Sequence, residues 1–119
     1  MFEIKIEASR SKGINNMQIF CFDMMLMELW AKRGRGPGFL IHDAHLFDGV
    51  DARQVAHALD IGAKRAAESG FQYIVTMNED AVPRAELSSL VDFDFDSHVL
   101  DVTLTDASED GGLFGFRFE

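Results

Sequence analysis

The stretch FLIHDAHLFDGVD, residues 39–51, decides the fold of this chain, because it joins an apolar strand to the start of a helix. Phe39–His42 is a short, continuous apolar run of the kind found inside parallel sheets. Such a strand would deliver Asp43 to the carboxyl edge of the sheet, where open α/β folds bind their ligands. A helix cap or a loop salt bridge would explain Asp43 equally well, and the residues alone leave both interpretations open.

The residues that follow complete a βαβ unit. Ala52–Ser69 has the pattern of a helix with Gly70 as its stop, and residues 71–77, FQYIVTM, read as the next buried strand. A strand, a helix and a second strand in this order predict two parallel strands joined by a right-handed crossover.

The N-terminal part predicts a strand, a loop and a long helix. Residues 2–7, FEIKIE, alternate apolar and charged as a half-buried strand does, and residues 8–13 read as a small polar loop. A helix is expected from about Ile14 to Arg33, ended by the glycines and proline of residues 34–38. This helix is apolar nearly all round, which indicates burial on more than one side or by a partner.

The C-terminal part is acidic and then apolar. A short helix is expected at residues 83–91, and a terminal β-hairpin at residues 100–118, whose second strand carries three phenylalanines. The predicted fold class is therefore α/β: a partly parallel sheet with a βαβ crossover, a long buried N-terminal helix and a C-terminal β-hairpin. The 119 residues are expected to form a single domain.

The distribution of charge indicates which kinds of molecule this chain can bind. Residues 1–36 carry six basic and four acidic side chains, whereas residues 37–119 carry five basic and sixteen acidic ones. The acidic part repels phosphate backbones, so broad DNA binding by this chain alone is not expected, although a local anion site near the basic part remains open. A single cysteine excludes an intrachain disulfide and fits a reducing cytosol. No signal peptide and no membrane span are expected.

Two metal-site interpretations are not favoured. The DFDFD run at residues 92–96 has the spacing of a calcium loop, but Ser97 stands where that loop needs glycine and Thr103 where it needs glutamate. An edge strand with protective charges explains the run better. The histidines within residues 42–57 would suggest zinc, but no cysteine pair accompanies them.

The order of these pieces resembles the C-terminal lobe of an ABC-type ATPase head, in the style of the SMC and RecN DNA-repair and chromosome ATPases. More closely, the chain resembles the bacterial family of unknown function numbered 2326, whose members look like the C-terminal ends of longer, coiled-coil SMC-like proteins. The resemblance runs from about Ser9 to Phe118. It rests on the order and spacing of SRSKGINNMQIFCFDMMLMEL, FLIHDAHLFDGVDARQ and FQYIVTMN.

The resemblance implies a nucleotide site of the P-loop NTPase type. Ser11, Lys12 and Gly13 stand where the signature turn of such heads reaches across a dimer to the partner's γ-phosphate, an anion that free N–H groups at a helix start favour. Asp43 stands where the Walker B acid holds Mg²⁺ through water. Asn78 stands where a switch histidine contacts the γ-phosphate, and it can donate a hydrogen bond but cannot titrate.

The loop after the Walker B-like strand carries the remaining implied residues. Gly49, Val50 and Asp51 look like the D-loop, which lies along the dimer seam. The catalytic glutamate of the family pattern would follow the Walker B acid, but Ala44 stands there. The nearest candidates for a replacement base are Asp48 and, second, His45.

The chain contains no G-x-x-x-x-G-K-[ST] sequence, so the phosphate-binding loop is expected on a separate N-terminal lobe. The resemblance thus implies the C-terminal half of a cytoplasmic head that dimerises with ATP. Mg²⁺ and ATP would be bound by the complete protein and not by this fragment. The implied partners are that N-terminal lobe, a second copy as a homodimer, and DNA through the rest of the protein, with no membrane.

Two other functions remain open. One is a degenerate, non-hydrolysing head whose lobe serves as an interaction or dimerisation module, which Ala44 and Asn78 favour. The other is an unrelated small α/β enzyme that uses Asp43, His45 and Asp48.

Overall fold

A parallel pair of strands joined by a helix forms the centre of the fold. The structure, a computed structural model, describes residues 2–105, 107, 108 and 111, and the side chains from Arg10 onward. Its elements in chain order are α1 (Phe2–Lys32), β1 (Phe39–His42), a 3₁₀ turn (Ala44–Phe47), α2 (Ala52–Ser69), β2 (Gln72–Val75), a 3₁₀ turn (Glu79–Ala81), α3 (Arg84–Ser89) and a 3₁₀ turn (Asp96–His98).

The β1–α2–β2 unit confirms the predicted α/β class and the parallel crossover. The two strands pair in parallel, with Phe39 opposite Gln72. α2 has the predicted bounds: the Asp51 side chain accepts a hydrogen bond from the backbone N–H of Arg53, and Gly70 ends the helix in the left-handed conformation with φ 77°. β2 is shorter than the predicted strand at residues 71–77.

The strand and loop predicted for residues 2–13 are wrong, because α1 runs without interruption from Phe2 to Lys32. An alternating pattern needs a neighbouring strand to become a ladder, and the sheet within the described residues has only β1 and β2. Residues 5–12 are mostly good helix formers. Gly13, which weakens a helix, is required by packing: a β-carbon there would collide with the carbonyl oxygen of Gly49.

Helix α1 buries one face and exposes the other. Phe20, Met24 and Met27 are buried against the rest of the chain. Burial of the helix on more than one side is not found among the described residues of this chain, because several large apolar side chains on it are about half exposed, and its burial by a partner stays a prediction. The half-exposed side chains are Ile14, Ile19, Phe22, Met25, Leu26, Leu29 and Trp30. Cys21 is exposed as well.

The core lies between α1, α2, α3 and one face of the sheet. Its buried members are Phe20, Met24, Met27, Phe47, Val55, Ala56, Ala58, Leu59, Ala66, Phe71 and Leu87. On β1, Leu40 and His42 point into it, whereas Phe39 is 47% exposed and Ile41 54% exposed on the other face. β1 is thus buried on one face only, which corrects the prediction of a strand in the interior of a sheet.

The C-terminal part follows the prediction in its first half. α3 confirms the short helix expected at residues 83–91. The edge strand expected at 92–96 is wrong, because residues 92–94 are irregular, Phe95 lies in a bend and Asp96 begins a 3₁₀ turn. Residues 100–104, the first arm of the expected hairpin, are not in a strand, and the second arm lies outside the described residues. No helix in the described part of the chain is both long and apolar enough to cross a membrane.

Candidate functional site

The carboxyl edge of the parallel pair brings together two of the predicted site segments. β1 is followed directly by Asp43, and β2 is followed three residues later by Asn78. The ladder continues past the strands, because the N–H of Thr76 donates to the carbonyl oxygen of His42 at 3.0 Å. A pocket of about 270 Å³ opens beside this edge, and residues from both segments line it, including Ala44, Asp48 and Asn78.

Asp43 acts as a cap and keeps one oxygen free. Its Oδ1 accepts a hydrogen bond from the backbone N–H of His45 at 3.2 Å, which starts the 3₁₀ turn Ala44–Phe47. The side chain is exposed, and within the described residues its Oδ2 has no hydrogen-bond donor. The interpretation of Asp43 as a cap is therefore confirmed. This role uses one carboxylate oxygen and leaves the second accessible to a ligand.

Asp48 is held by two basic groups. Its Oδ2 lies 3.2 Å from His45 Nδ1 and 3.5 Å from Lys12 Nζ. The hydrogen bond to His45, together with the charge of Lys12, lowers the pKa of Asp48 below its usual value. Asp48 is therefore a firmly ionised carboxylate at neutral pH, and a weaker proton acceptor than a general base tuned near that pH.

The signature-like residues Ser11, Lys12 and Gly13 lie in the first half of α1 and not in a turn. The turn expected there is wrong, and their backbone N–H groups belong to the helix ladder rather than being free for a phosphate. The structure nevertheless brings two of them to the loop after β1, because Lys12 contacts Asp48 and Gly13 packs on Gly49.

Asn16 completes this contact and was missed by the sequence reasoning. Its Nδ2 donates to the carbonyl oxygen of His45 at 3.3 Å and to that of Asp48 at 3.0 Å. The sequence indicated this contact only by placing an amide side chain one helical turn after Gly13, on the same side of the helix. The helix thus holds the loop of residues 43–51 by backbone packing, by two hydrogen bonds and by one ion pair.

Gly49 and Asp51 follow in the same loop. Gly49 has φ 74°, a conformation that glycine adopts readily. The Asp51 carboxylate caps α2 and contacts the Arg53 side chain at 3.2 Å, and these hydrogen bonds hold the pKa of Asp51 below its usual value. In this chain Asp51 therefore has a structural role, whether or not it also lies at a dimer seam.

A buried polar network lies directly behind Asp43. His42 is 5% exposed, and its Nε2 lies 2.8 Å from Asp23 Oδ2 while its Nδ1 lies 2.7 Å from Tyr73 Oη. Burial, and then the charge of Asp23, raises the pKa of Tyr73, so its hydroxyl stays protonated. The carboxylate of Asp23 can only accept, so Nε2–H of His42 donates to it, and the Tyr73 hydroxyl is the partner of Nδ1.

This network was also missed by the sequence reasoning. Its signals were Asp23, a rare charge in the middle of an apolar helix, and the one polar residue on the inward face of β1. Because it joins α1, β1 and β2, the network fixes the strand end from which the acidic loop begins.

Comparison with known families now assigns the chain. The model of a family described as uncharacterised protein conserved in bacteria, DUF2326, matches residues 1–118. The chain belongs to DUF2326. No curated protein and no solved structure matches it. The resemblance to family 2326 expected from the sequence is thus confirmed, together with its bacterial distribution.

The side chains of this DUF2326 member fit a magnesium ion only as part of a larger site. Within the described residues, no three His, Cys, Asp or Glu side chains lie together as a metal-binding set. Asp43 alone offers an exposed carboxylate oxygen at the strand end. Mg²⁺ commonly uses one or two carboxylates and completes its six ligands with water and phosphate oxygens, so this single acid suits a nucleotide-bound ion.

Proposed function

We propose that this DUF2326 chain is the C-terminal lobe of an SMC-like, ABC-type ATPase head that acts in ATP-dependent head dimerisation in DNA-related processes. The observation that carries the proposal is the shared carboxyl edge of β1 and β2, where Asp43 and Asn78 follow parallel strands beside a pocket of about 270 Å³. Ligands of open α/β sheets bind at this edge.

Two residues at this edge would bind different parts of a magnesium–nucleotide complex. The free Oδ2 of Asp43 would hold Mg²⁺ through a water molecule, while the amide of Asn78 would donate to a phosphate oxygen. Mg²⁺, when bound, supplies the positive charge that neutralises the transferred phosphoryl group. Gly49 and Asp51 would lie along the seam with a second head.

The site has no general base at the position that follows the Walker B-like acid, because the methyl group of Ala44 accepts no proton. Asp48 lines the same pocket, and it is the next carboxylate along the chain after Ala44. With its pKa lowered by His45 and Lys12, it would orient a water by accepting a hydrogen bond more readily than it would remove a proton.

The experiment is to co-express the chain with the lobe that carries the phosphate-binding loop, and to measure ATP binding, turnover and sedimentation. Asp43→Asn should abolish turnover by weakening the binding of Mg²⁺, since it removes the carboxylate that directly follows β1. Asp101→Asn, an exposed carboxylate outside the site, is the matched control and should behave like the parent. Turnover and Mg²⁺ dependence that are equal in the parent and in Asp43→Asn would refute the proposal.

A second candidate function is a non-hydrolysing interaction module, and two observations favour it. Ala44 leaves the expected base position empty of any proton acceptor, and the exposed face of α1 carries apolar side chains such as Phe22 and Leu29. The same co-expressed protein separates the two functions, because a module of this kind would associate without ATP and show no turnover.

A further inference from the structure

A groove of about 310 Å³ lies between α1 and the start of β1. Its lining comes from one side of the helix, from the loop before β1, and from Phe39 and Leu40 of the strand. The loop is held against the helix, because the N–H of Arg35 donates to the carbonyl oxygen of Trp30 at 2.9 Å. The groove shares no lining residue with the pocket at the carboxyl edge of the sheet. Its volume is that of a small-molecule site rather than of a large cleft.

One charged side chain, Asp23, lies in the otherwise apolar wall of this groove. The side chain of Asp23 is 30% exposed, and its Oδ2 lies 2.8 Å from His42 Nε2. Its Oδ1 accepts no hydrogen bond from the residues that the structure describes, and no lysine or arginine in that part of the chain forms an ion pair with it. Because a carboxylate can accept about four hydrogen bonds, Asp23 keeps acceptor positions for a donor from outside the chain.

Two aromatic side chains, Trp30 and Phe39, line the same groove and are about half exposed. The faces of aromatic rings attract cations, and tryptophan does so most strongly. A carboxylate that is partly removed from water is likewise stabilised by an opposite charge. The groove is therefore complementary to a ligand that combines a positive charge with an apolar body, and it disfavours an anion.

We propose that this groove binds a small organic cation, namely a primary ammonium group on an aromatic or branched apolar body. The ammonium group would donate to the carboxylate of Asp23, and the apolar body would cover Leu26, Trp30 and Phe39. A primary ammonium suits the site better than a quaternary one, because the carboxylate accepts hydrogen bonds and a quaternary nitrogen has none to donate.

A lysine side chain of a protein partner carries the same charge but does not suit this groove. Its unbranched stem would leave most of the aromatic and aliphatic lining exposed, whereas a compact apolar body would cover it. The proposal is independent of the function of the carboxyl edge, because it holds equally for an ATPase lobe and for an interaction module.

The test measures the binding of four probes to the whole chain near neutral pH. Trp30 is the only tryptophan in the sequence, so tryptophan fluorescence reports directly on the groove. Titration with 2-phenylethylammonium should change the fluorescence to saturation, with a dissociation constant on the order of 1 mM for a ligand of this size. The uncharged 2-phenylethanol should bind at least about tenfold more weakly, because it lacks the charge-assisted hydrogen bond. The anion 3-phenylpropanoate and the lysine derivative Nα-acetyl-lysine methylamide should cause no saturable change.

Two variants and an NMR map complete the test. Asp23→Asn should weaken the binding of 2-phenylethylammonium at least about tenfold and leave that of 2-phenylethanol unchanged. Glu28→Gln is the matched control, because it removes a partly buried carboxylate of the same helix that does not line the groove, and it should bind both probes as the parent does. In NMR spectra of the parent, 2-phenylethylammonium should shift the indole N–H of Trp30 and the amides of residues 36–40 most strongly.

The proposal is overturned if 2-phenylethanol or 3-phenylpropanoate binds as tightly as the ammonium compound. It is also overturned if the lysine derivative binds as tightly, because the groove would then suit a lysine of a protein partner. Largest NMR shifts in the acidic residues 92–96 would overturn it as well, because the cation would then follow the net charge of −9 and not the groove. The comparison of the four probes uses the parent chain alone, so it tests the proposal even if Asp23→Asn does not fold.

Discussion

Gly13→Ala tests the contact between α1 and the loop of residues 43–51. In the interior of an ordinary helix, replacing glycine with alanine stabilises the helix by about 1 kcal/mol. Here the new methyl group would overlap the carbonyl oxygen of Gly49 and come within 3.1 Å of its carbonyl carbon. Both are backbone atoms of a loop, so the overlap is relieved only by moving the helix and the loop apart.

The expected magnitude follows from three contributions. Overpacking costs about 1–3 kcal/mol, and separation would break the two hydrogen bonds of Asn16, at about 1 kcal/mol each. After the gain in helix propensity, the net loss in the free energy of unfolding is about 2–4 kcal/mol. In urea the unfolding midpoint should fall by about 1–2 M at an ordinary denaturant dependence.

The assay is urea unfolding followed by circular dichroism, with two control variants. Asn16→Ala removes the hydrogen bonds without adding volume and should lose about half as much stability as Gly13→Ala. Ser11→Ala lies on the exposed side of the same helix and should change stability by less than about 0.5 kcal/mol. If Gly13→Ala is as stable as the parent or more stable, the helix does not pack on the loop in this way.

Three further outcomes are expected. His42→Leu should lower the free energy of unfolding by about 1–3 kcal/mol, because it leaves two half-buried polar partners, Asp23 and Tyr73, unpaired. The exposed His57→Leu should be nearly neutral, and equal effects of the two variants in urea unfolding would contradict the network. In an NMR titration, Asp48 should protonate below pH 3.8, the value of an unperturbed carboxyl, and His45→Ala should raise its midpoint. Because this folded-state pKa is depressed, the stability that Asp48 contributes is present above its unfolded-state pKa and is lost as the pH falls through the folded value. The isolated chain should hydrolyse no ATP, and turnover by rigorously purified chain would contradict its assignment as half of a site.

The βαβ unit was predictable from the sequence because its signals are local. The apolar run of β1 is visible in four consecutive residues. The start and end of α2 are fixed by its two caps, Asp51 and the left-handed Gly70. Once the two strands are parallel, their topology alone places Asp43 and Asn78 at one edge. The placement of Asp43 and Asn78 at one edge was therefore predictable to the same extent as the fold.

The N-terminal part was not predictable, because its conformation is decided by partners distant in sequence. Alternation in residues 2–7 is compatible with a strand only if a neighbouring strand is available, whereas a helix satisfies its own backbone. The contacts of Gly13 and Asn16 join residues about thirty positions apart. The hydrogen bonds of His42 likewise depend on packing, since the same residue on the outer face of β1 would be an ordinary surface histidine.

The role of Asp48 can be separated from that of a general base by a single change. Two groups, His45 and Lys12, lower the pKa of this carboxyl, and His45 contributes more. If Asp48 removes a proton from water in the complete protein, His45→Ala should raise turnover at neutral pH, because it strengthens the base without touching the carboxylate. If Asp48 instead orients water through a fixed geometry, the same variant should lower turnover, because it releases the side chain from its position. Turnover that is unchanged in His45→Ala and also in Asp48→Asn would exclude both roles, and the activating group would then belong to another segment of the protein.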